Sequence, residues 1–139
     1  MTLYVLDTDI LTLYQAGHPT VIQHVQRCPA DQLAVSVISV EEQLTGWYTK
    51  LRRAKKRDQL ARAYQRLAQA VNFLAHLRIL SFPEPSIERY ENLRAVHRHI
   101  GKNDLRIAAI VLAQAAILIT RNLQDFRQVP GLDIEDWSK

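Results

Sequence analysis

The stretch NDLRIAAIVLAQAAILITRNLQDF, Asn103 to Phe126, decides the fold. It opens beside a carboxylate, Asp104, and then runs apolar from Ile107 to Ala116 with neither Gly nor Pro, as a buried helix does. Ile117-Leu118-Ile119-Thr120 follows, a β-branched burst that reads as a buried strand. Arg121 to Phe126 is polar again and reads as the loop at the carboxyl end of that strand. A helix feeding a wholly apolar strand is half of an α/β unit with a parallel sheet. Ligands of such sheets sit beyond the carboxyl ends of the strands. Asn122 and Asp125 stand at that edge, and the start of its helix can bring Asp104 there too.

Working back to the amino terminus, Leu3-Tyr4-Val5-Leu6 is a short apolar run with Asp7-Thr8-Asp9 at its carboxyl end. Ile10, Leu11, Leu13 and Tyr14 suggest a helix stopped by Gly17-His18-Pro19, and Thr20 to Cys28 a second one. Leu33 to Ile38 reads as the next strand. Ser39 is placed to cap the helix after it, with Glu42 three residues on in the capping-box pattern. A helical hairpin is expected near residues 41–78, with Leu60, Tyr64, Leu67, Val71, Leu74 and Leu77 as an apolar stripe for core or dimer contact. Its tip carries the basic run Lys50 to Arg57, which is either a solvated turn or an RNA-backbone contact. Ile79 to Phe82 reads as a third strand. A helix capped by Ser86 follows, with Ile87, Tyr90, Leu93, His97 and Ile100 inward and Gly101 ending it. His97 on that apolar face reads as a core histidine. Val129 to Ile134 closes the chain as a turn and an edge strand. The expected architecture is a single α/β domain over residues 1–139, with a parallel sheet of four to five strands flanked by helices and right-handed crossovers.

Composition narrows the function. In 139 residues, 18 Lys and Arg outweigh 14 Asp and Glu, a net charge of +4 that favours polyanionic partners. The lone cysteine, Cys28, excludes an internal disulfide and a Cys-based zinc site, as expected of a cytoplasmic protein. The amino terminus lacks the pattern of a signal peptide, and no apolar run is long enough for a membrane helix. Four glycines leave no dinucleotide-binding fingerprint, and Gly101-Lys102 lacks the rest of a phosphate loop.

Asp7, Glu42, Asp104, Asn122 and Asp125 all fall beside strand ends or helix starts. Each has an ordinary explanation alone, as a strand terminator, a cap or a helix-dipole partner. The carboxylates among them would repel unless a cation joined them, and an all-oxygen set selects magnesium or manganese over zinc. Such a centre activates water and neutralises phosphate charge in phosphodiester hydrolysis.

These residues carry a family resemblance over nearly the whole chain. Asp7-Thr8-Asp9-Ile10-Leu11, the register Ser39 to Gly46 that selects Glu42 rather than Glu41, Asn103-Asp104 before an Ala-rich helix, and Thr120-Arg121-Asn122 followed by Asp125-Phe126 occur in order. Val129 to Leu132 and Trp137 complete the pattern. The chain resembles a PIN-domain ribonuclease of the VapC-like toxin group. The resemblance implies a PIN-like nuclease domain in which Asp7, Glu42 and Asp104 hold magnesium or manganese, with Asn122 or Asp125 as the fourth site residue. It also implies an RNA substrate, a cognate antitoxin, a homodimer and a cytoplasmic setting without a membrane. Two positions depart from the family: Gln43 replaces the usual Leu, and Asn122 replaces the Asp of many members, with one charge fewer. The alternatives are a catalytically inactive PIN-like module that binds RNA or protein, and a phosphatase of the haloacid-dehalogenase type, whose opening Asp7-Thr8-Asp9 also resembles.

Overall fold

The computed structural model describes residues 1–139. Its strands are β1 (Tyr4–Leu6), β2 (Leu33–Ser36), β3 (Arg78–Leu80), β4 (Ile117–Ile119) and β5 (Asp133–Glu135). Between them lie α1 (Thr8–Gln15), α2 (Pro19–Arg27), α3 (Val37–Arg53), α4 (Arg57–Ala75), α5 (Glu84–Val96), α6 (Lys102–Ala113) and α7 (Leu123–Phe126). All neighbouring strands are parallel, in the order β3-β2-β1-β4-β5. The chain therefore builds outward from β1 to one side and then crosses to β4 on the other. That reversal leaves a crevice at the carboxyl ends of β1 and β4.

Alternation along the central strands makes two cores. Val5, Ala34 and Leu118 are side by side in the register and face Leu105, Ala108, Ile110 and Val111. Leu6, Val35 and Ile119 face the opposite way, onto Ile10, Leu11, Val21, Leu74 and Trp137. Both faces of the sheet are covered, which explains why the strands read as unbroken apolar runs.

Several local expectations are corrected. β2 stops at Ser36, and Ser36 rather than Ser39 caps α3 by accepting a hydrogen bond from the Ser39 N–H at 3.2 Å. Glu42 therefore belongs to the second turn of α3, not to a capping box. Ser86 is buried inside α5, whose cap position is Pro83 and whose second residue is Pro85. Gly101 does not end α5 but starts α6, its carbonyl accepting from the Leu105 N–H at 3.1 Å. His97 is the half-buried cap at the end of α5, with its ring beside His99 rather than in the core.

The hairpin forms, with α3 and α4 joined through Ala54–Lys56. Its buried line is Ala63, Ala70 and Leu74, whereas Leu60, Tyr64 and Val71 are 41%, 59% and 47% exposed. Small side chains let α4 lie close to its neighbours, so Leu60, Tyr64 and Val71 turn outward, whereas Leu74 of the expected stripe is buried and Leu67 and Leu77 are half-buried.

Candidate active site

Asp7 is fixed twice. Its N–H donates to the Ile119 carbonyl at 2.9 Å, tying the end of β1 to the end of β4. Its carboxylate caps α1, accepting from the Ile10 N–H at 2.9 Å. Burial pushes the Asp7 carboxyl up to about 6; the Thr120 hydroxyl and the Ile10 N–H work against that rise, and the charges of Asp9 and Asp104 add to it.

Glu42 reaches the same edge from α3. The Thr8 hydroxyl donates to its Oε1 at 2.6 Å and lies 2.9 Å from Ser39 Oγ. Its Oε2 accepts from Asn103 Nδ2 at 3.3 Å. Asn103 is held in turn by Arg106, whose Nη1 donates to Asn103 Oδ1 at 2.8 Å and whose guanidinium lies 5.1 Å from the Tyr90 ring centre. An open cleft beside Glu42 is lined by Glu41, Glu42, Thr45, Asn103 and Arg106.

Asp104 stands in the first turn of α6, where the helix dipole favours a negative charge. Its carboxyl is nevertheless pushed up, first by burial and then by the charges of Glu42, Asp125 and Asp9. Asn122 begins α7 and donates from Nδ2 to Asp125 Oδ2 at 3.1 Å, while its own N–H donates to Thr120 Oγ1 at 2.9 Å.

Asp104 is thus the centre of the group: its charge acts on Asp7, those of Glu42 and Asp125 act on it, and Asn122 is bonded to Asp125. The only ion pair in the protein, Arg121 with Asp9 at 3.1 Å, neutralises an exposed acid at the rim and none of these four. As the side chains stand, no three carboxylates or histidines meet at one point in a closed ligand set. The donor chemistry still suits a hard divalent cation: every candidate ligand is an oxygen, and none of the carboxylates is held in an ion pair. Three supporting groups were given no role at the site by the sequence: Thr8, Ser39 and Arg106. Adjacency of Thr8 to Asp7 was the available signal for the first. Nothing in the sequence marked the pairing of Ser39 with Thr8 or of Arg106 with Asn103.

The PIN domain family matches residues 4–132 of the chain. The chain belongs to the PIN-domain family. Among its PIN-domain relatives, "Ribonuclease VapC1" of Haemophilus influenzae strain R2866 is 31% identical over 144 residues, spanning 99% of both chains. Two solved structures are close in fold. The VapBC2 complex of Rickettsia felis, bound to a DNA fragment from its promoter, is 28% identical with a TM-score of 0.76, covering 98% of this chain and 99% of that one. A toxin–antitoxin complex from Klebsiella pneumoniae is 25% identical with a TM-score of 0.73, covering 96% and 97%. The phosphatase-like reading of Asp7-Thr8-Asp9 has no geometric support in this PIN domain: Asp9 is an exposed acid paired with Arg121. No helix is long and apolar enough to cross a membrane.

Proposed function

We propose that this PIN domain is a divalent-metal-dependent endoribonuclease that hydrolyses RNA phosphodiester bonds as the toxin of a toxin–antitoxin pair. The observation that carries the reading is the group of Asp7, Glu42 and Asp104 at the sheet crevice, where Asp7 and Asp104 are pressed by burial and by like charge and none of the three is in an ion pair. Asp7, Glu42 and Asp104 are the proposed metal ligands, and magnesium or manganese the proposed ion. When bound, the ion supplies activation of water and neutralisation of phosphate charge.

The chain's own residues prepare the rest. Thr8 and Asn103 hold the two oxygens of Glu42 in one orientation, and Arg106 on Tyr90 keeps Asn103 from turning its amide. The Ile10 N–H fixes the Asp7 carboxylate at the head of α1. Asn122 holds Asp125, whose charge acts on Asp104, and Asp125 is the remaining carboxylate available to hold or receive a proton. The names of the Haemophilus relative and of the two complexes support the ribonuclease and antitoxin assignments. A homodimer and a cytoplasmic location belong to the same proposal.

The test is incubation of the purified chain with total RNA, with and without manganese, followed by mapping of the cut ends. Defined ends that appear with manganese and vanish in EDTA are expected. Cleavage undiminished in EDTA would overturn the metal-dependent reading.

A further inference from the structure

A second surface lies apart from the acidic cluster. The hairpin of α3 and α4, together with the carboxyl end of α1, encloses a groove lined in part by Trp47, Lys50, Arg66 and Phe73. It adjoins, at the shared residues Trp47, Lys50 and Arg66, a second hollow that adds Arg53 and Arg62. Four cations therefore line one trough, and no Asp or Glu lines either part of it. None of the four is engaged in an ion pair, since the protein has only Arg121 with Asp9. Lys50 Nζ lies 4.3 Å from the Trp47 ring centre, so the half-buried indole already presents a face to a cation.

The trough runs along the same helix that carries Glu42, with Lys50 about 80° and Trp47 about 140° round the axis from it. Glu42, Gly46, Lys50 and Arg53 follow one another along α3, and Arg53 returns to within about 20° of the Glu42 direction. Glu42 and Lys50 are separated along the axis by about 12 Å, the length of about three or four stacked nucleotides. Between them Gly46 is exposed, and a side chain placed there would meet nothing within 4 Å.

We propose that this trough is a binding subsite for single-stranded RNA, in which Lys50, Arg53, Arg62 and Arg66 contact successive phosphates and Trp47 stacks on one base. It rests on RNA being the substrate. Unpaired cations without acidic neighbours match a polyanion, and an aromatic face among them matches an unpaired base. An acidic centre repels phosphate, so a cationic track leading away from it holds a strand that the centre alone would push off. The subsite also separates two clusters that adjoin in the sequence: the trough cations and the hairpin tip Lys55, Lys56 and Arg57.

The test measures binding of a labelled single-stranded uridine dodecamer to the full chain by fluorescence anisotropy in EDTA, at several salt concentrations. The triple variant Lys50→Gln, Arg62→Gln, Arg66→Gln should lose about 2 from the log–log salt slope, at about 0.7 per phosphate contact. That is about a hundredfold weaker binding at 0.1 M salt relative to 1 M. The tip variant Lys55→Gln, Lys56→Gln, Arg57→Gln removes the same charge and should lose less than half as much slope. Trp47→Ala should weaken binding at least about fivefold with little change in slope, and Trp47→Phe should restore part of it. Equal slope losses in the two triple variants, or an unchanged slope in the trough variant, overturn the proposal; the second result would be expected if the trough holds an acidic protein segment instead. Cleavage with manganese is scored separately. A chain that binds with the predicted slope yet never cuts RNA removes the nuclease reading and leaves the subsite standing.

Discussion

Replacing Asp7 by Asn should stabilise the metal-free protein, and the size of the gain should depend on pH. The Asp7 carboxyl is raised from 3.8 to about 6 in the fold. Above pH 6 the folded protein must hold that buried carboxylate ionised, which the unfolded chain does without cost. At about 1.4 kcal/mol per tenfold, the penalty at pH 7.5 is about 3 kcal/mol. It shrinks as pH falls through 6, to about 1.5 kcal/mol at pH 5 and about 0.5 kcal/mol at pH 4, where the unfolded chain also begins to bind the proton. Asn caps a helix as well as Asp and accepts the same hydrogen bond from Ile10, so the substitution removes the charge and leaves the cap. Urea unfolding in EDTA, followed by the fluorescence of Trp47 and Trp137, should show the Asn variant more stable by about 3 kcal/mol at pH 7.5, equivalent to about 6–12 °C in Tm. The difference should close towards pH 4. Excess manganese should raise the stability of the wild type and leave the variant almost unmoved, because a ligand stabilises only the form that binds it. A gap of the same size at pH 4 and pH 7.5, or a variant less stable at both, would refute the argument from burial.

Other consequences are sharper in activity. Glu42→Gln should abolish cleavage of RNA while Glu41→Gln keeps most of it, because only Glu42 is held by Thr8 and Asn103; the reverse pattern in a cleavage assay would move the site by one residue. Asn122→Asp places a second carboxylate where the amide now meets Asp125 at 3.1 Å, so it should lower stability in EDTA and tighten manganese binding by calorimetry. Unchanged manganese affinity would leave Asp125 as the fourth site residue. Ser36→Ala should cost about 1 kcal/mol of stability through loss of the α3 cap, read by urea midpoint, and a neutral result would return the cap to Ser39. Expression of the wild type in a bacterial host should arrest growth, whereas Asp7→Ala should not; equal growth of both would remove support for the toxin role.

The sequence carried the sheet and its edge well because burial on both faces leaves little freedom. A run such as Val5-Leu6 or Leu118-Ile119 fits only a covered parallel strand, and the acids immediately after it fall at the crevice by chain geometry. Boundaries were harder where composition was ambiguous. Val37 and Ile38 extend an apolar strand in the sequence, but the buried Ser36 hydroxyl takes the Ser39 N–H and starts a helix there. On α4 the periodicity was legible and the facing only in part: Leu74 packs in the core as expected with Leu77 against it, but Leu60, Tyr64 and Val71 are exposed and Ala63 and Ala70 are buried in their stead. Long-range partners such as Thr8 with Glu42, separated by 34 residues, have no local signature.

The placement of β4 next to β1 also sets when the centre can come into being. Asp9 and Arg121, whose contact spans this junction, are 112 residues apart, and the Asp7 N–H waits for the Ile119 carbonyl across the same distance. A ribosome adding 5–20 residues per second needs about 6–20 s to travel between them. Through that interval the nascent chain holds Asp7 and later Glu42, but β1 has no β4 beside it and the crevice does not exist. A chain interrupted before Ile117 is therefore an incomplete sheet without a working edge. Completion of synthesis, rather than synthesis itself, arms the protein.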